Sequence, residues 1–317
     1  TTVGKRAAMW CQDFVLSLKE LEMRRSDFPL RGLKGATGTQ ASFLTLFNGD
    51  TAKVDDLERR FVQKIGGSGH FPITGQVYPR IVDTQITGSL GLVAQAAHKM
   101  CNDVRFLAFR KEMDEPDEDG KVGSTAMAYK KNPTFSERAT GLSRYLASLP
   151  GIAAQTASAQ FLERTLDDSS NRRIVLPEAA LTCDSILLIL TYVARGMKLY
   201  PAMIRKHLRD ELPFMATDAI LMDGVMKGGD RQKLHEAIRA HSKEAGRRVK
   251  ELALDNDLVD RLKGDPLFEK VDIDAVLDPA LHIGRAPEQV VAFIDACVKP
   301  IRAKYAATLG MNAEMKV

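Results

Sequence analysis

Residues 82–110 read VDTQITGSLGLVAQAAHKMCNDVRFLAFR, with no proline between Val82 and Arg110. Ile86, Leu90, Val93, Ala97 and Cys101 recur at three- or four-residue spacing and keep one helix face apolar. A helix of that length well exceeds the usual globular one of about 11–12 residues. The same periodicity predicts helices through Trp10, Phe14, Leu18 and Leu21, over Phe135–Leu149 and over Leu181–Leu199. No run alternates as a strand, and Phe71-Pro72-Ile73-Thr74-Gly75 is broken by Pro72 and Gly75 into a loop. The expected fold class is all-α, a bundle of long helices whose partner helices can come from other subunits. Near Leu199-Tyr200-Pro201 the texture changes: helices shorten and loops such as Lys227-Gly228-Gly229-Asp230 and Lys263-Gly264-Asp265-Pro266 become frequent. The expected domains are therefore a long-helix domain at 1–199 and a smaller helical domain at 200–317.

Composition narrows the function classes. With 317 residues, 44% hydrophobic and 27% charged, the chain has the balance of a globular protein with a large core. A net charge of +4 is mild and argues neither for nor against nucleic acid; the few aromatics form no base-stacking array, and no nucleic-acid partner is expected. Cys11, Cys101, Cys183 and Cys297 lie too far apart for a CxxC pair or a zinc pattern. They are expected as buried free thiols in a reducing compartment, and the location as cytoplasmic. The six histidines form no HExxH motif, so neither metal nor cofactor is expected. No run reaches the ~18 apolar residues of a membrane span, and Ile186 to Ala194 is expected as a buried helix. No signal peptide is visible, and the chain opens on Thr1-Thr2-Val3-Gly4-Lys5 without methionine, as a fragment would.

The polar loops carry the chemistry. Gly123-Ser124-Thr125-Ala126-Met127-Ala128-Tyr129-Lys130-Lys131-Asn132-Pro133 places two hydroxyls and cations directly before Thr134-Phe135-Ser136-Glu137. The latter reads as a capping box opening a helix, whose N-terminus favours anions. The acidic run Glu112–Gly120 before it reads as a solvated loop. Arg31–Gln40 offers glycine backbone, hydroxyls and Lys34 without Walker spacing, and reads as a connection with a polar role. In Ile73–Arg80, Gln76 and Arg80 can hydrogen-bond a ligand, or the segment is a plain turn. In Glu163–Arg173, a turn at Asp168–Ser170 and a helix from Asn171 can gather Arg164, Ser169 and Arg173 around one phosphate. Alternatively, Asp167 and Asp168 pair with these arginines structurally.

Together these segments, with Thr1–Arg6, Gly32–Phe43, Thr74–Gln76, Gly123–Arg138, Glu211–Thr217 and Asp255–Leu258, resemble the eukaryotic-type adenylosuccinate lyase family of the fumarase/aspartase superfamily. The resemblance implies elimination of fumarate from adenylosuccinate, giving AMP, and from the succinyl-carboxamide ribotide of purine biosynthesis. It implies Ser124 as general base, with Lys130 and Asn132 holding the succinyl carboxylate. It also implies Gln76 and Arg138 on the substrate, and Arg164, Ser169 and Arg173 near its phosphate. A serine needs cations, N–H donors and dry surroundings to act as a base, and Lys130 with the helix start after Pro133 can supply the first two. The family builds a homotetramer whose active sites draw on three subunits. Its general-acid histidine lies in a segment expected ahead of Thr1, and none of the six histidines here matches that context; His70 and His98 read as loop and helix-surface residues. Thr125, Ala128 and Lys131 depart from the usual serine, proline and arginine, and Ala128 leaves the loop less stiff. The rival readings are an inactive helical oligomerisation module and a sister lyase of the argininosuccinate or fumarase type. The arginines favour a phosphate-bearing substrate over the latter.

Overall fold

The computed structural model describes residues 1–116 and 130–310. Among them the strands are two-residue segments, Met113–Asp114 and Lys198–Leu199, and the ordered elements are otherwise helical. The leading helices are α1 (Val3–Ser26), α2 (Ala41–Leu46), α3 (Thr51–Lys64), α4 (Ile81–Phe109), α5 (Thr134–Ser158) and α6 (Asp168–Gly196). They are followed by α7 (Pro201–Met215), α8 (Thr217–Met226), α9 (Arg231–Leu252) and α10 (Leu258–Lys263). The chain divides into two compact units. One joins Thr1–Ala8 and Arg110–Met113 to Leu199–Lys304; the other holds Met9–Phe109, the described part of Asp114–Lys198, and the chain from Tyr305. The expected domains, 1–199 and 200–317, were contiguous segments, whereas these units are discontinuous. Long-range packing of that kind leaves no local mark in sequence.

In the bundle unit α4, α5 and α6 pack through small and branched side chains. Val93, Ala97, Cys101 and Val104 of α4, Ala139, Leu146 and Ala153 of α5, and Ala179, Ile186 and Val193 of α6 are all buried. Toward the N-terminal end of α4 the inward positions turn polar, with Asp83, Thr87 and Ser89 buried in place of the apolar stripe. The helix α5 runs antiparallel to both neighbours: Gly91 of α4 faces Pro150, and the Phe135 ring lies 4.8 Å from that of Tyr192 in α6.

Two expected limits are corrected. The helix predicted over Phe135–Leu149 continues through Pro150 to Ser158, and that predicted over Leu181–Leu199 begins at Asp168 and runs through Pro177. Each proline removes one intrahelical hydrogen bond, at about 3 kcal/mol in an isolated helix. Packing along the whole bundle outweighs that local preference. By length and composition α6 would also suffice to cross a membrane, because its most apolar window tolerates interspersed polar residues. Only 39% of that window is buried within the single chain.

The other unit has its own core. Ile220 and Leu221 of α8, Leu234 and Ile238 of α9, Leu258 and Leu262 of α10, and Phe268 form one buried cluster. Asp230 caps α9 by accepting from the backbone N–H groups of Gln232 and Lys233, both at 3.0 Å. The Glu211–Thr217 string closes α7, with Leu212, Pro213 and Ala216 buried.

Candidate active site

Three of the polar loops meet at the bundle end where α4 and α6 begin, and they meet backbone to backbone. Gly38 has φ +86°, and a Cβ there would lie 1.9 Å from the Thr74 carbonyl oxygen. A Cβ on Gly75 would lie 2.7 Å from the Glu163 carbonyl oxygen. Only glycine allows either approach. Arg31 reinforces the stack, its Nη2 donating to the carbonyls of Gly35 at 2.6 Å and Gly75 at 2.9 Å. The Gln76 N–H donates to the Glu163 carbonyl at 3.2 Å. Behind the loops, Lys34 Nζ is buried 2.8 Å from Glu58 Oε2, which also accepts from Gln40 Nε2 at 3.2 Å. His70 Nε2 lies 3.3 Å from the same oxygen, which gives this loop histidine a partner.

This stack places Gln76 beside Arg164, near the start of α6 where Ser169 and Arg173 sit. Arg173 Nε donates to Ser169 Oγ at 3.3 Å. Gln76 and Arg173 are exposed, while Arg164 and Ser169 are half-buried. A cavity of about 580 Å³, lined in part by Gly75, Tyr78, Arg80, Thr84, Gln160 and Glu163, adjoins the loops. Arg80, which the sequence offers as a ligand group, is instead buried: its Nε and Nη2 lie 2.7 and 2.6 Å from Asp168 Oδ2. The helix begins at Asp168 rather than Asn171, which brings that carboxylate inside. Asp83 accepts from Arg172 Nε and from the Tyr78 hydroxyl, each at 2.6 Å. Burial, then the hydrogen bond to Asp83, raises the Tyr78 pKa and keeps the phenol protonated.

The opposite end of the bundle carries the start of α5. The expected capping box does not form. The assigned cap residue is Pro133, and no side chain of Thr134-Phe135-Ser136-Glu137 caps the helix. Glu115 does so from a distance, its buried carboxylate accepting the N–H of Phe135 at 3.0 Å and of Ser136 at 2.6 Å. The acidic run is therefore not wholly a solvated loop, and the helix-start donors expected to serve Ser124 are already engaged. Lys131 pairs with Asp114 at 3.4 Å. Lys130 is exposed, Asn132 is half-buried, and the exposed Arg138 lies over the Phe135 ring at 5.7 Å. Ser124 lies outside the described residues.

Within one chain, then, the seven predicted site residues that the structure describes are not brought together. Lys130, Asn132 and Arg138 stand at the start of α5, while Gln76, Arg164, Ser169 and Arg173 stand beyond its far end. The 25 residues of α5 span about 36 Å at 1.5 Å per residue. Sequence reasoning missed Glu115 and Asp168 as buried anchors. A sign was available for Asp168, whose neighbouring arginines left a structural pairing open, but none for Glu115.

The bundle fold is shared with solved structures of low sequence identity. It matches 3-carboxy-cis,cis-muconate lactonizing enzyme from Pseudomonas putida with a TM-score of 0.79 at 20% identity, over 94% of this chain and 64% of that one. It matches fumarate lyase from Mesorhizobium sp. BNC1 with a TM-score of 0.75 at 20% identity, over 93% of this chain and 64% of that one. Sequence resolves the class further. Residues 213–293 match the family described as adenylosuccinate lyase C-terminus. The chain is 47% identical over 307 residues to adenylosuccinate lyase of Schizosaccharomyces pombe, covering 96% of this chain and 64% of that protein. It is 43% identical over 321 residues to that of Schistosoma mansoni, covering 100% of this chain and 67% of the relative. The chain belongs to the adenylosuccinate lyase family and spans a little under two thirds of the length of most of these relatives.

Proposed function

We propose that the protein carrying this chain is a C–N lyase that eliminates fumarate from adenylosuccinate, giving AMP, and from the succinyl-carboxamide ribotide of purine biosynthesis. The observation that carries the reading is the assembly of Gln76, Arg164, Ser169 and Arg173 at one bundle end, in a chain of this family. Two guanidiniums beside a hydroxyl suit a phosphate. At the other end, Lys130 and Asn132 hold the succinyl carboxylate, and Arg138 contacts the substrate. Ser124 takes the proton from the carbon next to that carboxylate, and the extra negative charge is stabilised by Lys130. The C–N bond then breaks as the leaving nitrogen is protonated.

A nucleotide cannot bridge about 36 Å. The two half-sites therefore come together between subunits, in a homotetramer with shared active sites. The bundle carries surface suited to such assembly: Phe106, Leu166, Ile174 and Leu181 are each more than 60% exposed. The test follows fumarate release by ultraviolet absorbance. Ser124→Ala abolishes turnover with helix content unchanged, whereas undiminished turnover removes Ser124 as the base.

A further inference from the structure

We infer that Asp168 is a positioning residue for the substrate's phosphate: fixed on one oxygen by Arg80, it presents the other to Arg164. The inference rests on the phosphate reading of Arg164, Ser169 and Arg173 given above. Asp168 has no exposed side-chain surface, so its charge must be answered inside the protein. Arg80 answers it on Oδ2, through Nε at 2.7 Å and Nη2 at 2.6 Å. That leaves Oδ1 toward Arg164, whose Nη2 lies 3.5 Å away. Arg80 is itself only 5% exposed and lies over the Tyr78 ring at 4.7 Å, so the anchor cannot swing. Arg164 is not consumed by this contact. Its Nε is buried and has no hydrogen-bond partner, while 24% of the side chain stays exposed. A guanidinium held on one edge and open on another is arranged to receive a second anion. One turn on, Ser169 and Arg173 face the same helix start.

The experiment measures, by calorimetry on the whole protein, the affinity for AMP and for adenosine in wild type and Asp168→Asn, alongside fumarate release from adenylosuccinate. Asn keeps the shape but removes the charge that orients Arg164. AMP affinity is expected to fall about tenfold to a hundredfold, the range for hydrogen bonds to charged groups, while adenosine affinity stays unchanged. Equal AMP affinity in variant and wild type overturns the inference. So does an equal loss for adenosine, which marks a general structural effect, or an absence of AMP binding in wild type. A wild type that binds AMP in an Asp168-dependent way yet releases no fumarate sinks the lyase reading and leaves the role of Asp168 standing. If thermal melting shows that Asp168→Asn does not fold, Arg80→Lys is read instead. It keeps a cation against the carboxylate but drops the second N–H, and AMP affinity falls severalfold with adenosine unaffected. Unchanged AMP affinity in a folded Arg80→Lys protein overturns the inference equally.

Discussion

Replacing Gly38 by alanine tests whether the three polar loops act as one site. The new Cβ would lie 1.9 Å from the Thr74 carbonyl oxygen, 2.9 Å from its carbon and 3.1 Å from Gly75 Cα. Ordinary contact begins at 3.4 Å, so Thr74 must retreat by about 1.5 Å. All three atoms are backbone, and no side chain can rotate aside. The residue also sits at φ +86°, where a side chain costs about 1–2 kcal/mol. Overpacking adds about 1–3 kcal/mol, for a total near 2–5 kcal/mol. The displacement passes on, because Gly75 rests on Glu163 and the Gln76 N–H bonds the Glu163 carbonyl. Misplacement of about 1 Å commonly lowers rates by about a hundredfold. Circular dichroism of Gly38→Ala should retain the helix signal, while kcat/KM for fumarate release falls on that scale. Wild-type kinetics in the variant would refute the backbone stack as the scaffold of the site.

Lys34→Met leaves the buried Glu58 carboxylate without its cation, and a broken buried pair costs about 3–5 kcal/mol, read as a fall in thermal midpoint. A loss under about 1 kcal/mol would show that Gln40 and His70 suffice to hold Glu58. Burial pushes the thiols of Cys101 and Cys183 up to about 11. Alkylation needs the thiolate, so both should resist iodoacetamide near neutral pH until the protein unfolds, as read by peptide mass. Rapid labelling of either in the folded protein would contradict their burial.

What the sequence made legible, and what it did not, follows from the range of the interactions involved. The long proline-free stretch through Val82–Arg110 announced α4, because apolar periodicity is a local signal of a buried face. Pro150 and Pro177 misled at α5 and α6, because local propensity yields to packing along a bundle. The glycine-bearing loops stood out individually, but their stacking depends on contacts between residues as distant as Gly38, Gly75 and Glu163. Arg80 read as a ligand group since nothing nearby in sequence announces Asp168, 88 residues away. Glu115 likewise looked like one more acid in a charged run, and only the fold carries it to the start of α5.

In the proposed assembly, one bundle end meets the opposite end of another subunit to complete each active site. The most direct measurement mixes two inactive variants of the whole protein, Lys130→Ala and Arg173→Ala, under conditions that exchange subunits. Neither parent should release fumarate, and the mixture should, because some sites then draw an intact Lys130 from one subunit and an intact Arg173 from another. A mixture that forms hybrid oligomers, verified by mass, and stays inactive would place both residues in a single-subunit site and contradict the account.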